Sequence, residues 1–163
     1  TPKQALFFEP LIDTLKERGD EVIVTSRRYR EAELICRKRQ IDAVFIGSHG
    51  GKELRNKLSA SLERSKLLLE YFEEDKPDAL VSFSSPEAGR VAFGLGIINI
   101  CVSDSPHAEA VSKLTIPLAD CLLTPWIVPE KSWTVYGIER SKIDEIALGI
   151  KFFSTFSATA NLY

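Results

Sequence analysis

Methionine is missing from all 163 positions, tryptophan and histidine occur twice each, and cysteine three times. With Thr1 at the first position, the lack of methionine leads us to expect that the natural start lies upstream. Cys36, Cys101 and Cys121 are an odd number without C-x-x-C spacing, which argues against a disulfide frame or a zinc site. Two of them sit in apolar, strand-like runs, the place of buried thiols in a reducing cytosol. There is no signal peptide, and no uncharged apolar run approaches the ~20 residues of a membrane span. We therefore expect a cytoplasmic protein without a membrane span. Excess charge of either sign is lacking too: a net charge of −2 and a pI near 5.8 supply no global basic field, so nucleic acid is not an expected partner. What is present is a 44% hydrophobic composition, enough for one core and too short a chain for two full domains.

Residues 78–107, DALVSFSSPEAGRVAFGLGIINICVSDSPH, organise the rest. Residues 79–83 and 97–102 are short, apolar and rich in β-branched side chains, as buried strands are. Each runs into Ser-Pro-x-Ala, at Ser85-Pro86-Glu87-Ala88 and again at Ser105-Pro106-His107-Ala108. A serine that accepts a backbone N–H, followed by a proline pre-set for helical φ, predicts a helix start after each strand. The pattern is strand, tight turn, helix, twice over. Parallel strands need such crossovers, and their common hand brings both turns to the carboxyl edge of the sheet, where open α/β sheets bind ligands.

Upstream, residues 1–19 read as a loop and then a helix with Leu6, Phe7, Leu11, Ile12 and Leu15 inward; Pro10 predicts a kink or a late start, and Gly19 a stop. Residues 21–26 and 42–46 read as strands, with a charged helix over 31–39 between them. No strand precedes the first helix, so we expect an upstream segment to supply one. Arg27-Arg28-Tyr29-Arg30 can hold a phosphate and stack on a base, or simply solvate a helix start. Gly47-Ser48-His49-Gly50-Gly51 brings backbone N–H groups close to a ligand, though without the spacing of a phosphate loop. His49 serves there either as an acid/base or ligand contact or as a group that fixes the loop. Residues 52–74 predict the longest helix, with Leu54, Leu58, Leu62, Leu69 and Phe72 as core and Lys52, Arg55, Lys57, Arg64 and Lys66 outside that stripe.

Downstream, a helix over 107–119 is interrupted at Pro117 and a short strand covers 121–123. An aromatic-rich connector follows with Trp126, Trp133 and Tyr136. Residues 141–148 read as helical and residues 151–163 as a docking segment. At the two Ser-Pro turns Glu87 and Asp104 suit sugar hydroxyls or proton transfer. Asp104 is close enough in sequence to orient His107 as a general acid or base, while carboxylates in first turns also serve as ordinary helix-dipole partners.

LFFEPLIDTLKERGDEVIVTSR, the IGSHGG loop, SFSSPEAGRVAFGLGIINICVSDSPHAEAVSKLTIPLAD and TVYGIE together resemble an uncharacterised, largely archaeal family, a domain of unknown function. That family is similar to the UDP-N-acetylglucosamine 2-epimerases and other members of the GT-B glycosyltransferase superfamily. The resemblance covers residues 1–140. It implies two Rossmann-like domains around a cleft, of which the amino-terminal, acceptor-side one is present. His107-Ala108-Glu109-Ala110 resembles the start of the epimerases' H-V-E-A-G-L-R segment but stands several residues late, so the catalytic glutamate is not carried over to Glu109. Ser84 and Ser85 stand where the epimerases have an acidic residue.

The expected fold is therefore α/β, a doubly wound, mainly parallel, Rossmann-like sheet with its first strand missing. Residues 1–140 form the domain and residues 141–163 a connector or docking segment. The expected function is that of the amino-terminal half of a GT-B-like glycosyltransferase acting on a sugar or nucleotide-sugar. Two alternatives stand beside it, a UDP-sugar 2-epimerase-like enzyme and a non-catalytic ligand- or partner-binding module. Asp104 and His107 are the candidate catalytic pair. Ser48, His49, Gly50, Ser84, Ser85, Glu87 and Ser105 are the candidate substrate-binding residues. No metal and no cofactor are expected, and a homo-oligomer is compatible with the sequence.

Overall fold

A computed structural model describes residues 2–146. The chain divides within its longest helix into two compact units, residues 1–70 and residues 71 onward. Residues 147–163, with the expected docking segment, lie outside the described residues.

The first unit holds α1 (Pro2–Glu17), β1 (Thr25–Arg28), α2 (Arg30–Lys38), β2 (Val44–Ser48) and most of α3 (Leu54–Glu74). β1 and β2 pair in parallel. The late start expected from Pro10 is not found: α1 runs from Pro2 through Pro10 to Glu17, with Leu11 and Ile12 buried. A proline inside a helix forfeits one backbone bond, here to the carbonyl of Leu6, and the apolar face on either side outweighs it.

α3 has close to the expected length, and Phe72 is buried as expected, but the leucines of its first half face the other way. Leu54 is 82% exposed, and Leu58 and Leu62 are exposed too, whereas Leu68 and Phe72 are buried and Arg64, expected in solvent, is only 4% exposed. Two series at i, i+4 spacing run along this helix, 54/58/62 and 64/68/72. They are two residues out of phase, about 200° apart on the helix, so only one can face inward. Arg64 takes the inner face because its guanidinium donates to the Ile46 carbonyl in the middle of β2. Gly47 permits that approach, since a Cβ there would lie 3.0 Å from the Cβ of Arg64.

The second unit is a parallel four-stranded sheet in the order β3 (Ala79–Phe83), β4 (Ile98–Val102), β5 (Cys121–Pro125), β6 (Ile143–Ile146). α4 (Pro86–Leu95), α5 (Glu109–Thr115) and the short α6 (Lys131–Thr134) lie between successive strands. β4 and β5 are buried along nearly their whole length, which accounts for their continuous apolar sequence. The helix expected over 141–148 is instead a single 3-10 turn, Arg140–Lys142, followed by β6. Ile143 and Ile146 reach the core while Asp144 and Glu145 face outward, so a four-residue edge strand satisfies the segment better than a helical turn. Cys101, Ile116, Ala119, Leu122, Trp133, Ile138 and Ile143 form one buried cluster.

Candidate functional site

In a parallel sheet all carboxyl ends lie at one edge, so the turns after β3, β4 and β5 share an edge of the second unit. The turn after β3 is built as its sequence requires. Ser85 caps α4, its hydroxyl accepting from the Ala88 N–H at 3.4 Å, and Pro86 opens the helix. Gly96 ends it in a left-handed conformation that glycine adopts without strain. Ser84, at φ +48°, is a non-glycine residue in that same region, held there by a 3.0 Å hydrogen bond from its hydroxyl to the Val102 carbonyl on β4. Glu87 is 3% exposed, and its carboxylate accepts from the Ser85 hydroxyl at 3.3 Å. Glu87, expected to meet sugar hydroxyls, has its carboxylate turned into the protein, where it helps hold the turn through Ser85.

The second Ser-Pro turn departs from the first. Ser105 does not cap a helix; its hydroxyl donates to Asp104 Oδ1 at 2.7 Å. Its carbonyl accepts from the Ala108 N–H, closing one turn, and α5 starts only at Glu109 with no side-chain cap. The expected helix start at His107 is therefore two residues early. Asp104 is half-buried and His107 exposed, on a turn held from outside by Tyr136, whose hydroxyl donates to the Pro106 carbonyl at 2.6 Å. Glu109 is paired with Lys113 at 2.6 Å, and that bond holds its carboxyl below the usual range.

The glycine loop belongs to the first unit. Ser48 and His49 are exposed, and His49 Nδ1 accepts from the Gly51 N–H at 3.0 Å. A ring nitrogen that accepts carries no proton, so Nε2 carries it and faces away from that bond. The imidazole thus fixes the loop and keeps one donor for a ligand. Gly50 touches the start of α3 so closely that a Cβ would lie 2.4 Å from the Asn56 carbonyl oxygen and 2.6 Å from Lys57 Cα. Gly50→Ala should therefore cost about 1–3 kcal/mol through a forced backbone shift, lowering the thermal midpoint by roughly 2–10 °C. Circular dichroism melting checks this, and an unchanged midpoint would contradict the close approach. Tyr29, expected as a base-stacking side chain, has its hydroxyl buried, and burial pushes its pKa up.

All three thiols are free. Burial raises Cys101, and burial with the nearby Asp144 carboxylate pushes Cys121 up to about 12, so both stay protonated and unreactive. Among the described residues no three His, Cys, Asp or Glu side chains converge as a metal site, and no helix is long and apolar enough to cross a membrane. What sequence reasoning missed at this edge is Trp126, which leaves β5 into solvent; its indole was grouped with Trp133 in one aromatic connector, although Trp133 is fully buried.

The crystal structure of Acinetobacter baumannii MurG matches this chain with a TM-score of 0.63 at 14% identity, covering 88% of this chain and 41% of MurG. That likeness shows the fold, an α/β, Rossmann-like arrangement with parallel sheets. The uncharacterized protein MJ0665 of Methanocaldococcus jannaschii is 35% identical over 131 residues, 80% of this chain and 38% of that protein. The chain thus spans about two-fifths of the length of these relatives. A family model described as "protein of unknown function (DUF354)" matches residues 2–153, nearly the whole sequence, and the chain belongs to that family.

Proposed function

We propose that this chain is the acceptor-side half of a GT-B-like glycosyltransferase acting on a sugar or nucleotide-sugar. The observation that carries the reading is the turn after β4: a half-buried carboxylate, Asp104, and an exposed imidazole, His107, on one pinned turn at the ligand edge of a parallel sheet. Glycosyl transfer forms a bond from an acceptor oxygen to the sugar's anomeric carbon and breaks the bond from that carbon to the leaving group. The acceptor proton needs a base. His107 takes it, and Asp104, fixed by Ser105, orients the acceptor hydroxyl and stabilises the imidazolium. Ser84, Ser85 and Glu87 hold the neighbouring turn in shape. In the first unit, Ser48, His49 and Gly50 offer a second hydroxyl- or phosphate-binding loop.

Asp104→Asn in the whole protein, assayed with nucleotide-sugars and a sugar acceptor, should lower turnover by at least about a hundredfold with the fold intact. Unchanged turnover would remove Asp104 from the chemistry. One observation favours a second reading, a binding module without turnover: the bond that Asp104 Oδ1 accepts comes from Ser105, and His107 stands in solvent. That reading expects a ligand to raise the melting temperature while no product forms.

A further inference from the structure

The segment leaving β5 carries Trp126 and Ile127, 66% and 70% exposed. It is not a loose end. The Trp126 N–H donates to the Ile146 carbonyl at 3.3 Å and the Val128 N–H to the Pro125 carbonyl at 2.9 Å. Two residues earlier, the buried Thr124 hydroxyl accepts the indole N–H of Trp133 at 3.0 Å. A rigid backbone therefore holds a large aromatic ring in water. The chain's other tryptophan shows the ordinary fate of an indole, full burial with its N–H satisfied.

The position of Trp126 follows from the sheet. β5 lies directly beside β4, with Leu123 opposite Val102, and the Ser103 N–H donates to the Leu123 carbonyl. Neighbouring strands are roughly 5 Å apart, so Trp126 leaves the sheet next to the Asp104 turn and at the same edge. The chemistry of that edge narrows the occupant. Residues 84–87, 103–108 and 126–130 contain no lysine or arginine. Glu87 is buried and Glu130 is ion-paired with Arg140, which leaves the half-buried Asp104 carboxylate and several hydroxyls. Such an edge disfavours phosphate. It suits a neutral ring that gives hydroxyl hydrogen bonds from its rim and offers an apolar C–H face to an indole.

We infer that Trp126 is a stacking platform for a neutral pyranose ring whose hydroxyls reach Asp104 and Ser105, with Ile127 flanking the ring. The inference rests on the proposed sugar-binding role of this edge and adds the residue that holds the ring and the exclusion of a nucleotide diphosphate from it.

The test is saturation-transfer NMR and calorimetry on the protein with a panel of methyl pyranosides and N-acetylglucosamine, and with UDP alone. At least one neutral sugar should bind with its ring protons close to an indole. Trp126→Ala should weaken that binding at least tenfold with an unchanged melting curve, Trp126→Phe should retain most of it, and UDP should not compete. No binding by any sugar of the panel, equal affinity in Trp126→Ala, or competition by UDP each overturns the inference. The catalytic reading fails separately. Sugar binding that depends on Trp126 while Asp104→Asn keeps full turnover removes the proton-transfer role and leaves the platform standing; an inactive Asp104→Asn with binding indifferent to Trp126 does the reverse.

Discussion

Trp133→Ala should remove about 3–5 kcal/mol of stability, enough to leave the second unit largely unfolded under mild heating. Trp133 is fully buried among Cys101, Ile116, Ala119, Leu122, Ile138 and Ile143, with Val128 and Tyr136 packed on the outside. Truncation deletes the largest side chain of that cluster and leaves a cavity that β4 and β5, paired on both sides, cannot close. It also removes the indole N–H that the buried Thr124 hydroxyl accepts. Trp133→Phe separates the two effects, since it keeps most of the volume and loses the hydrogen bond; it should cost about 1–3 kcal/mol. Urea unfolding followed by far-ultraviolet circular dichroism gives both numbers. An alanine variant within 1 kcal/mol of the parent would mean that α6 is not anchored through this ring.

The contrast between the two Ser-Pro turns shows which parts of this molecule its sequence discloses. Strands 79–83 and 97–102, the Ser85 cap and the interruption at Pro117 are local properties, governed by apolar runs, a hydroxyl and a fixed φ, and all three are found in the structure. The same four-residue pattern fails at Ser105, where the Ala108 N–H donates to the Ser105 carbonyl and not to its hydroxyl. Both serine hydroxyls donate to a carboxylate, Ser85 to Glu87 and Ser105 to Asp104, so that bond does not separate the two turns. The difference lies in the path of the backbone, which periodicity does not contain.

α3 fails in another way. Helical spacing gives its length, yet two series at i, i+4 spacing, one all leucine and one Arg64, Leu68 and Phe72, lie on opposite faces. The choice between them is made by Arg64 reaching the Ile46 carbonyl, a contact eighteen positions away in sequence. The candidate site is legible to the same degree. The edge and its turns follow from the strand-turn-helix order, while the inward direction of Glu87 and the outward direction of Trp126 are tertiary facts.

Asn99→Asp should destabilise the protein in a strongly pH-dependent way. Asn99 sits on β4 with almost no exposure. Its backbone exchanges 2.9 Å bonds with Asp120, and its Nδ2 donates to the Leu118 carbonyl at 2.9 Å. Gly89 leaves room for this amide, since a Cβ there would stand 3.3 Å from Nδ2. Its Oδ1 has no hydrogen-bond partner among the described residues, so the pocket supplies nothing that would stabilise a second oxygen. An ionised aspartate would aim a charged oxygen at the Leu118 carbonyl, in a buried place and near the carboxylate of Asp120. The protonated acid alone can give a hydrogen to that carbonyl. Folding therefore raises this carboxyl above its unfolded value of about 3.9. The sign follows: below about pH 4 both states are protonated and the variant is near its most stable, and above it the unfolded chain releases a proton that the folded chain retains. Stability then falls by about 1.4 kcal/mol per pH unit, roughly 4 kcal/mol by pH 7 if the folded acid stays protonated to that point. Asn99→Leu, which carries no charge and strands only the Leu118 carbonyl, should lose about 1–3 kcal/mol independently of pH. Urea midpoints of the two variants and the parent between pH 4 and pH 7 distinguish these outcomes. A constant gap between Asn99→Asp and the parent across that range would show that the new carboxylate reaches water, and that the cleft between α4 and β4 is open where the structure closes it.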